Sequence, residues 1–125
     1  MKKAINTSNA PAAIGPYSQA IEANGFVYIS GQLPINPADG NMPDEIKAQT
    51  RQSLENLKAI LAERGLTMDA VVKTTVLLAD MSLFVPMNEV YSEFFASPYP
   101  ARAAFAVKEL PKQALVEIEA VAVAK

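Results

Sequence analysis

The chain has 125 residues, half of them hydrophobic and 19% charged, with a formal net charge of −2. That length suits one globular domain, residues 1–125, and the acidic balance argues against a phosphate-gripping nucleic-acid surface. Histidine and cysteine are both absent, which removes Cys/His zinc sites, thiol nucleophiles, the Ser-His-Asp triad and disulfides; acid–base work is left to carboxylates, Lys, Tyr or water.

The start holds Lys2 and Lys3 but no apolar stretch after them, so no secretory signal is expected. No run approaches the ~18–20 apolar residues of a membrane span, and a cytoplasmic location without membrane contact is the expectation. Residues 18–23 and 26–33 are short apolar runs separated by Asn24-Gly25, the strongest short hairpin signal. Residues 34–42, with Pro34, Pro37 and Gly40, are predicted loop. Pro43-Asp44-Glu45 is expected to open a helix, with proline at its first position and acids at the positive end of its dipole. Ile46, Thr50, Leu54, Leu57 and Leu61 recur at three- and four-residue steps, and Gly65 supplies a stop.

Residues 71–79 are β-branched and apolar on both faces, which predicts a covered strand. Pro86 fits only a first helical turn, so a second helix is expected over 85–96, with Met87, Val90, Tyr91, Phe94 and Phe95 as its apolar stripe. Strands at 102–107 and 115–124 close the chain. The order β-β-α-β-α-β-β, with five or six strands in all, predicts an α+β fold: a mixed sheet with two helices packed on one face.

In the last strand, Val116, Ile118, Ala120, Ala122 and Ala124 share one face, and Glu117, Glu119, Val121 and Val123 share the other. Two helices cover one face only. An apolar second face of this size is seldom left wet, so another subunit is expected to cover it.

Several side chains are candidates for chemistry. Arg102 is the only charge in a run of small apolar residues; either it is a strand-end arginine reaching for water, or its planar fork grips a carboxylate in a cleft. Glu117 and Glu119 are either rim carboxylates or partly buried ones with a raised pKa, able to position or deprotonate water. Tyr17 follows a Gly15-Pro16 turn and either packs or contacts ligand. Ser30-Gly31-Gln32 ends a strand where glycine permits close backbone approach. No glycine-rich phosphate loop, nucleophile elbow or dinucleotide fingerprint is present.

Together, Ala10-Pro11-Ala12-Ala13-Ile14-Gly15-Pro16-Tyr17, Ile29-Ser30-Gly31-Gln32-Leu33-Pro34, Gln49-Thr50-Arg51-Gln52, Val72-Lys73-Thr74-Thr75-Val76, Met87-Asn88-Glu89-Val90-Tyr91, Pro100-Ala101-Arg102-Ala103-Ala104, Leu110-Pro111-Lys112 and Glu117-Ile118-Glu119-Ala120 resemble the RidA (YjgF/YER057c/UK114) family from end to end. The resemblance implies a chorismate-mutase-like fold and a homotrimer with a barrel-like core and a cleft at each subunit interface. It implies an enzyme of metabolite damage control. That enzyme hydrolyses reactive 2-enamines and 2-imines, such as 2-iminobutanoate and 2-iminopropanoate, to 2-keto acids and ammonia. No metal or cofactor is implied. Arg102 matches the arginine that clamps the substrate carboxylate, and Glu119 the glutamate that positions water. Tyr17, Ser30, Gly31 and Asn88 match pocket positions, with Gly31 acting through its backbone. At Ala104 the family often has cysteine; the alanine removes a thiol but leaves a backbone N–H for the carboxylate. The alternative is a non-catalytic module that binds small carboxylates in the same cleft, since fold and pocket do not compel turnover. A ribonuclease or translation-inhibitor role fits poorly with the acidic charge and the missing histidine.

Overall fold

The computed structural model describes residues 1–124. Six strands form one mixed sheet: β1 (Lys3–Ile5), β2 (Ala20–Ala23), β3 (Phe26–Gln32), β4 (Val71–Leu78), β5 (Ala101–Ala106) and β6 (Val116–Val123), in the spatial order β1-β2-β3-β6-β4-β5. Only β4 and β5 run parallel. Their crossover is the second helix, α2 (Phe84–Phe94), while α1 (Ile46–Glu63) connects β3 to β4. This is the expected α+β architecture.

Asn24 (φ 52°) and Gly25 (φ 80°) turn the β2–β3 hairpin with the two positive φ angles a tight hairpin requires. The helix stop also falls where the sequence puts it. Gly65 adopts φ 77°, its N–H donates to Ala62 O, and Leu66 N–H reaches back to Leu61 O at 2.9 Å, a Schellman closure. The helix start differs from expectation. Pro43 lies outside α1, and Glu45 is the N-cap, its carboxylate accepting from the N–H groups of Lys47 (3.2 Å) and Ala48 (2.6 Å). A carboxylate satisfying two orphan amides starts the helix better than proline, which satisfies none. The carbonyl of Pro43 instead accepts from the Gln49 amide at 2.7 Å. The second helix begins at Phe84, so Pro86 occupies its first turn as expected.

Both helices pack on the same sheet face. Leu54, Leu57, Ile60 and Leu61 of α1 and Met87, Val90 and Tyr91 of α2 are buried, together with Val76, Leu78, Val116, Ile118, Ala120 and Ala122 of the sheet. Each fully buried aliphatic side chain contributes about 1.5–3 kcal/mol relative to exposure. Asn56 pins the loop after β3 to this layer, its amide donating to the carbonyls of Leu33 (3.1 Å) and Ile35 (3.0 Å).

The other sheet face is bare in the single chain. It carries Tyr28, 48% exposed, Phe105, 47% exposed, and the half-buried Val121 and Val123 beside the two glutamates. Among the described residues no helix is long and apolar enough to cross a membrane.

Candidate active site

A strand irregularity shapes the site. Between Ile29 and Gln32, β3 uses one residue more than β6 opposite it, a bulge containing Ser30 and Gly31. Ser30 is fixed there: its hydroxyl donates to Ser18 O at 2.6 Å and its N–H donates to Gln19 O at 3.0 Å. The absent side chain of Gly31 leaves room for Glu117. A Cβ on Gly31 would collide with the Glu117 carboxylate, whose Cδ stands 2.9 Å from that position.

Glu117 and Glu119 both lie on the bare face, but their environments differ. Glu119 is exposed and lines a depression of about 390 Å³ with Ser30, Lys73 and Thr75. Glu117 is half-buried, and burial, aided by the neighbouring charge of Glu119, pushes its carboxyl above the ordinary range. Glu117, the carboxyl against Gly31, is thus biased towards its neutral form by its surroundings.

Arg102 stands elsewhere. It pairs with Thr74 across the β4–β5 ladder, and Thr74 is buried on the helix side, sharing a 2.7 Å hydrogen bond with the Tyr91 hydroxyl. The guanidinium accordingly points to α2. Its carbon stands 4.7 Å from the centre of the Tyr91 ring and 5.4 Å from that of Phe84, and one of its N–H groups donates to Asn88 Oδ1 at 2.7 Å. Burial pushes the Tyr91 phenol up, against the opposing effects of its Thr74 bond and the Arg102 charge. Among the described residues Arg102 has no ion-pair partner, and it lines a cleft with Asn88, Ser92, Tyr99 and Pro100. Ala104, two residues along β5, pairs with buried Val76 on the same side.

The expected site residues thus form two groups. Arg102, Asn88 and Ala104 lie at the β5 edge on the helix side. Ser30, Gly31, Glu119 and Tyr17 lie around the β3 bulge, with Tyr17 and Gly31 sharing one cavity and Ser30 and Glu119 another. Glu119 pairs with Thr75 and Arg102 with Thr74, which point to opposite faces. With β4 between them, two strand spacings of ~4.8 Å add to that separation. A small substrate cannot touch both groups within one chain.

Sequence reasoning overlooked the Phe84 and Tyr91 platform under Arg102. Tyr91 belongs to the helical stripe and so reads as core, which it also is. It weighed Glu117 without a means to prefer it.

The comparisons with known proteins agree with this architecture. The family model described as Endoribonuclease L-PSP matches residues 7–124. A RutC family protein of Pyrococcus horikoshii is 54% identical over 98% of each chain. The Escherichia coli K12 protein named 2-iminobutanoate/2-iminopropanoate deaminase is 46% identical, again over 98% of each chain. The crystal structure of E. coli TdcF with bound serine superposes with a TM-score of 0.93 at 44% identity, covering 97% of this chain and 98% of that one. The chain belongs to the Endoribonuclease L-PSP family, which is the RidA (YjgF) family its motifs resemble.

Proposed function

We propose that this protein hydrolyses reactive 2-imino acids, and their 2-enamine tautomers, to 2-keto acids and ammonia, at sites completed between subunits of a homotrimer. The observation that carries the reading is Arg102. A guanidinium held over two aromatic rings, anchored by Asn88 and without a carboxylate partner among the described residues, is preorganised for a bidentate carboxylate. The E. coli relative named as a 2-iminobutanoate/2-iminopropanoate deaminase supports the substrate class.

The chemistry is within reach of these side chains. A protonated imine carbon is already electrophilic, so hydrolysis needs an oriented substrate, a water and one group that takes and returns a proton. Water adds to C2 as a carboxylate accepts its proton. The carboxyl then protonates the nitrogen, the C–N bond breaks as the C2 carbonyl forms, and the hydroxyl proton of the carbinolamine passes to the departing ammonia, which leaves as ammonium with the carboxylate regenerated. Orientation contributes several kcal/mol and a general acid–base group ~10²–10⁴-fold. A carboxyl with a raised pKa suits that exchange, which favours Glu117 over Glu119 for the proton and leaves Glu119 to hold the water beside it. Tyr17, Ser30 and Gly31 would bound the substrate on the glutamate side, and Ala104 would offer its backbone N–H to the carboxylate on the arginine side.

The test is a coupled assay in which a threonine or serine dehydratase generates 2-iminobutanoate or 2-iminopropanoate and keto-acid release is followed with and without this protein. The expected result is acceleration that Arg102→Ala abolishes and that Glu117→Gln reduces more than Glu119→Gln. An active Arg102→Ala variant would end the clamp assignment, and the reverse order of the glutamates would return the proton to Glu119. A folded wild type that binds a 2-keto acid without accelerating release would instead support the non-catalytic reading. The serine in the E. coli TdcF crystal, a carboxylate that is not an imine, is the observation that favours that alternative.

A further inference from the structure

The turn between β5 and β6 holds two consecutive non-glycine residues in the left-handed region, Lys112 at φ 58° and Gln113 at φ 57°. Side chains rarely adopt that conformation, because Cβ crowds the following carbonyl oxygen. The turn is held there from both ends. Leu110 and Ala114 are buried, Gln113 N–H donates to Leu110 O and Ala114 N–H to Pro111 O, both at 3.2 Å, and Leu115 N–H donates to the Gln49 side chain at 2.8 Å. Strain maintained in this way tends to cluster at ligand-contacting positions.

Here the turn brings Lys112 to the wall of a cavity of about 330 Å³, shared with Ile14, Tyr17, Gly31, Leu33 and Ile35. That volume is within the range of small-molecule sites. The other amides on the wall are already committed. Gln19 donates to the carbonyls of Thr7 and Pro11 and accepts from Thr7 N–H, and the amide nitrogen of Gln32 donates to Ser30 O. Lys112 is the one charged residue lining the cavity, and among the described residues it has no ion pair.

Tyr17 and Gly31 belong both to this cavity and to the substrate position described above. A substrate whose C2 lies over Gly31 has the cavity open to its side chain. We infer that the cavity is a side-chain subsite for 2-imino acids bearing an aliphatic spacer and a terminal carboxylate. The aliphatic walls of Ile14, Leu33 and Ile35 take the methylenes, and the Lys112 ammonium takes the second carboxylate. This inference rests on the imine-hydrolase reading for its reaction but not for its ligand.

The experiment compares two imines, 2-iminobutanoate and 2-iminoglutarate (the latter generated from glutamate by an amino-acid oxidase), on wild type, Lys112→Met, Lys112→Arg and Lys112→Gly. In parallel, binding of the two products, 2-oxobutanoate and 2-oxoglutarate, is measured by calorimetry. The inference predicts that the kcat/KM ratio of the dicarboxylic to the monocarboxylic imine falls about fivefold in Lys112→Met and recovers in Lys112→Arg, the upper size expected of a charge pair at an exposed lysine. Lys112→Gly, whose backbone suits the turn, repeats the loss should Lys112→Met fold poorly. An unchanged ratio in both variants overturns the subsite. If wild type accelerates neither imine, the hydrolase reading falls and the binding ratio alone decides. A lost preference for 2-oxoglutarate then upholds the subsite, and an unchanged one overturns it.

Discussion

Gly31 and Glu117 act as a unit at the scale of single residues. The glycine is required because the carboxylate fills the space its Cβ would take. In Gly31→Ala only the flexible end of Glu117 has to move, so the fold should persist with little change in melting temperature. The displaced carboxyl should lower kcat on the order of 10²-fold, the usual cost of misplacing a reacting group by about an ångström. Melting curves and the dehydratase-coupled assay together check this; full activity in the variant would detach Glu117 from the reaction. The raised pKa of Glu117 has a second consequence. Because the folded value lies above the unfolded one, the folded state binds more protons, and stability falls as pH rises from the ordinary carboxyl value through the raised one. Glu117→Gln removes that dependence. The variant should match the pH trend of wild type in acid and become relatively more stable above the raised pKa, as read from melting temperature against pH. Both glutamates were legible in the sequence, but the choice between them was not. Two-residue alternation gives Glu117 and Glu119 the same face, and only the bulge at Ser30-Gly31, a register feature, separates their surroundings.

Among the elements, α1 was the most legible, because its apolar spacing, its glycine stop and its burial all agree. Its interior still holds a misfit. The Ser53 hydroxyl is fully buried and has no hydrogen-bond partner, unlike Thr50 one turn earlier, which donates to Ile46 O at 2.8 Å. Ser53→Ala removes an unsatisfied group and improves helix propensity, so it should raise unfolding free energy by about 1 kcal/mol. A denaturant titration read at its midpoint measures the change, and a loss of stability would mean that the hydroxyl is satisfied after all. The hairpin was legible for an equally local reason, since Asn24-Gly25 tolerates the two positive φ angles the turn needs. Strand β1 was not, because three residues are too few for any alternation to register. Its partner Glu22 on β2 is instead tied to the end of α1 by a two-pronged pair with Arg64, at 2.6 and 3.1 Å, a contact 42 residues apart that no local pattern reveals. The start of α1 was misread because proline and acids look alike as N-terminal signals, and only the geometry selects Glu45 as the cap.

At the scale of the whole molecule, the sheet divides the chemistry. Its helix side carries the Arg102 cleft at the β5 edge, and its bare side carries the glutamates, Ser30 and the Gly31 bulge. On the proposed reading one chain holds two half-sites facing away from each other, and its uncovered apolar face would give subunits a reason to meet. Assembly that brings the β5 edge of one chain against the bare face of the next would join arginine to glutamate and bury Phe105, Tyr28, Val121 and Val123 together. The uncovered face was legible in the last strand alone, from two valines alternating with two carboxylates. The division of the site was not, because it depends on which face each strand presents after pairing. Mixing two impaired variants tests the arrangement most directly. Arg102→Ala and Glu117→Gln are each purified, combined in equal amounts under conditions that allow subunit exchange, and assayed for imine hydrolysis. If the site is shared, random reassembly leaves about a quarter of the interfaces with both native groups, and activity should recover towards that fraction. Confirmed exchange without any recovery would contradict the account, because it would mean that arginine and glutamate must come from the same chain.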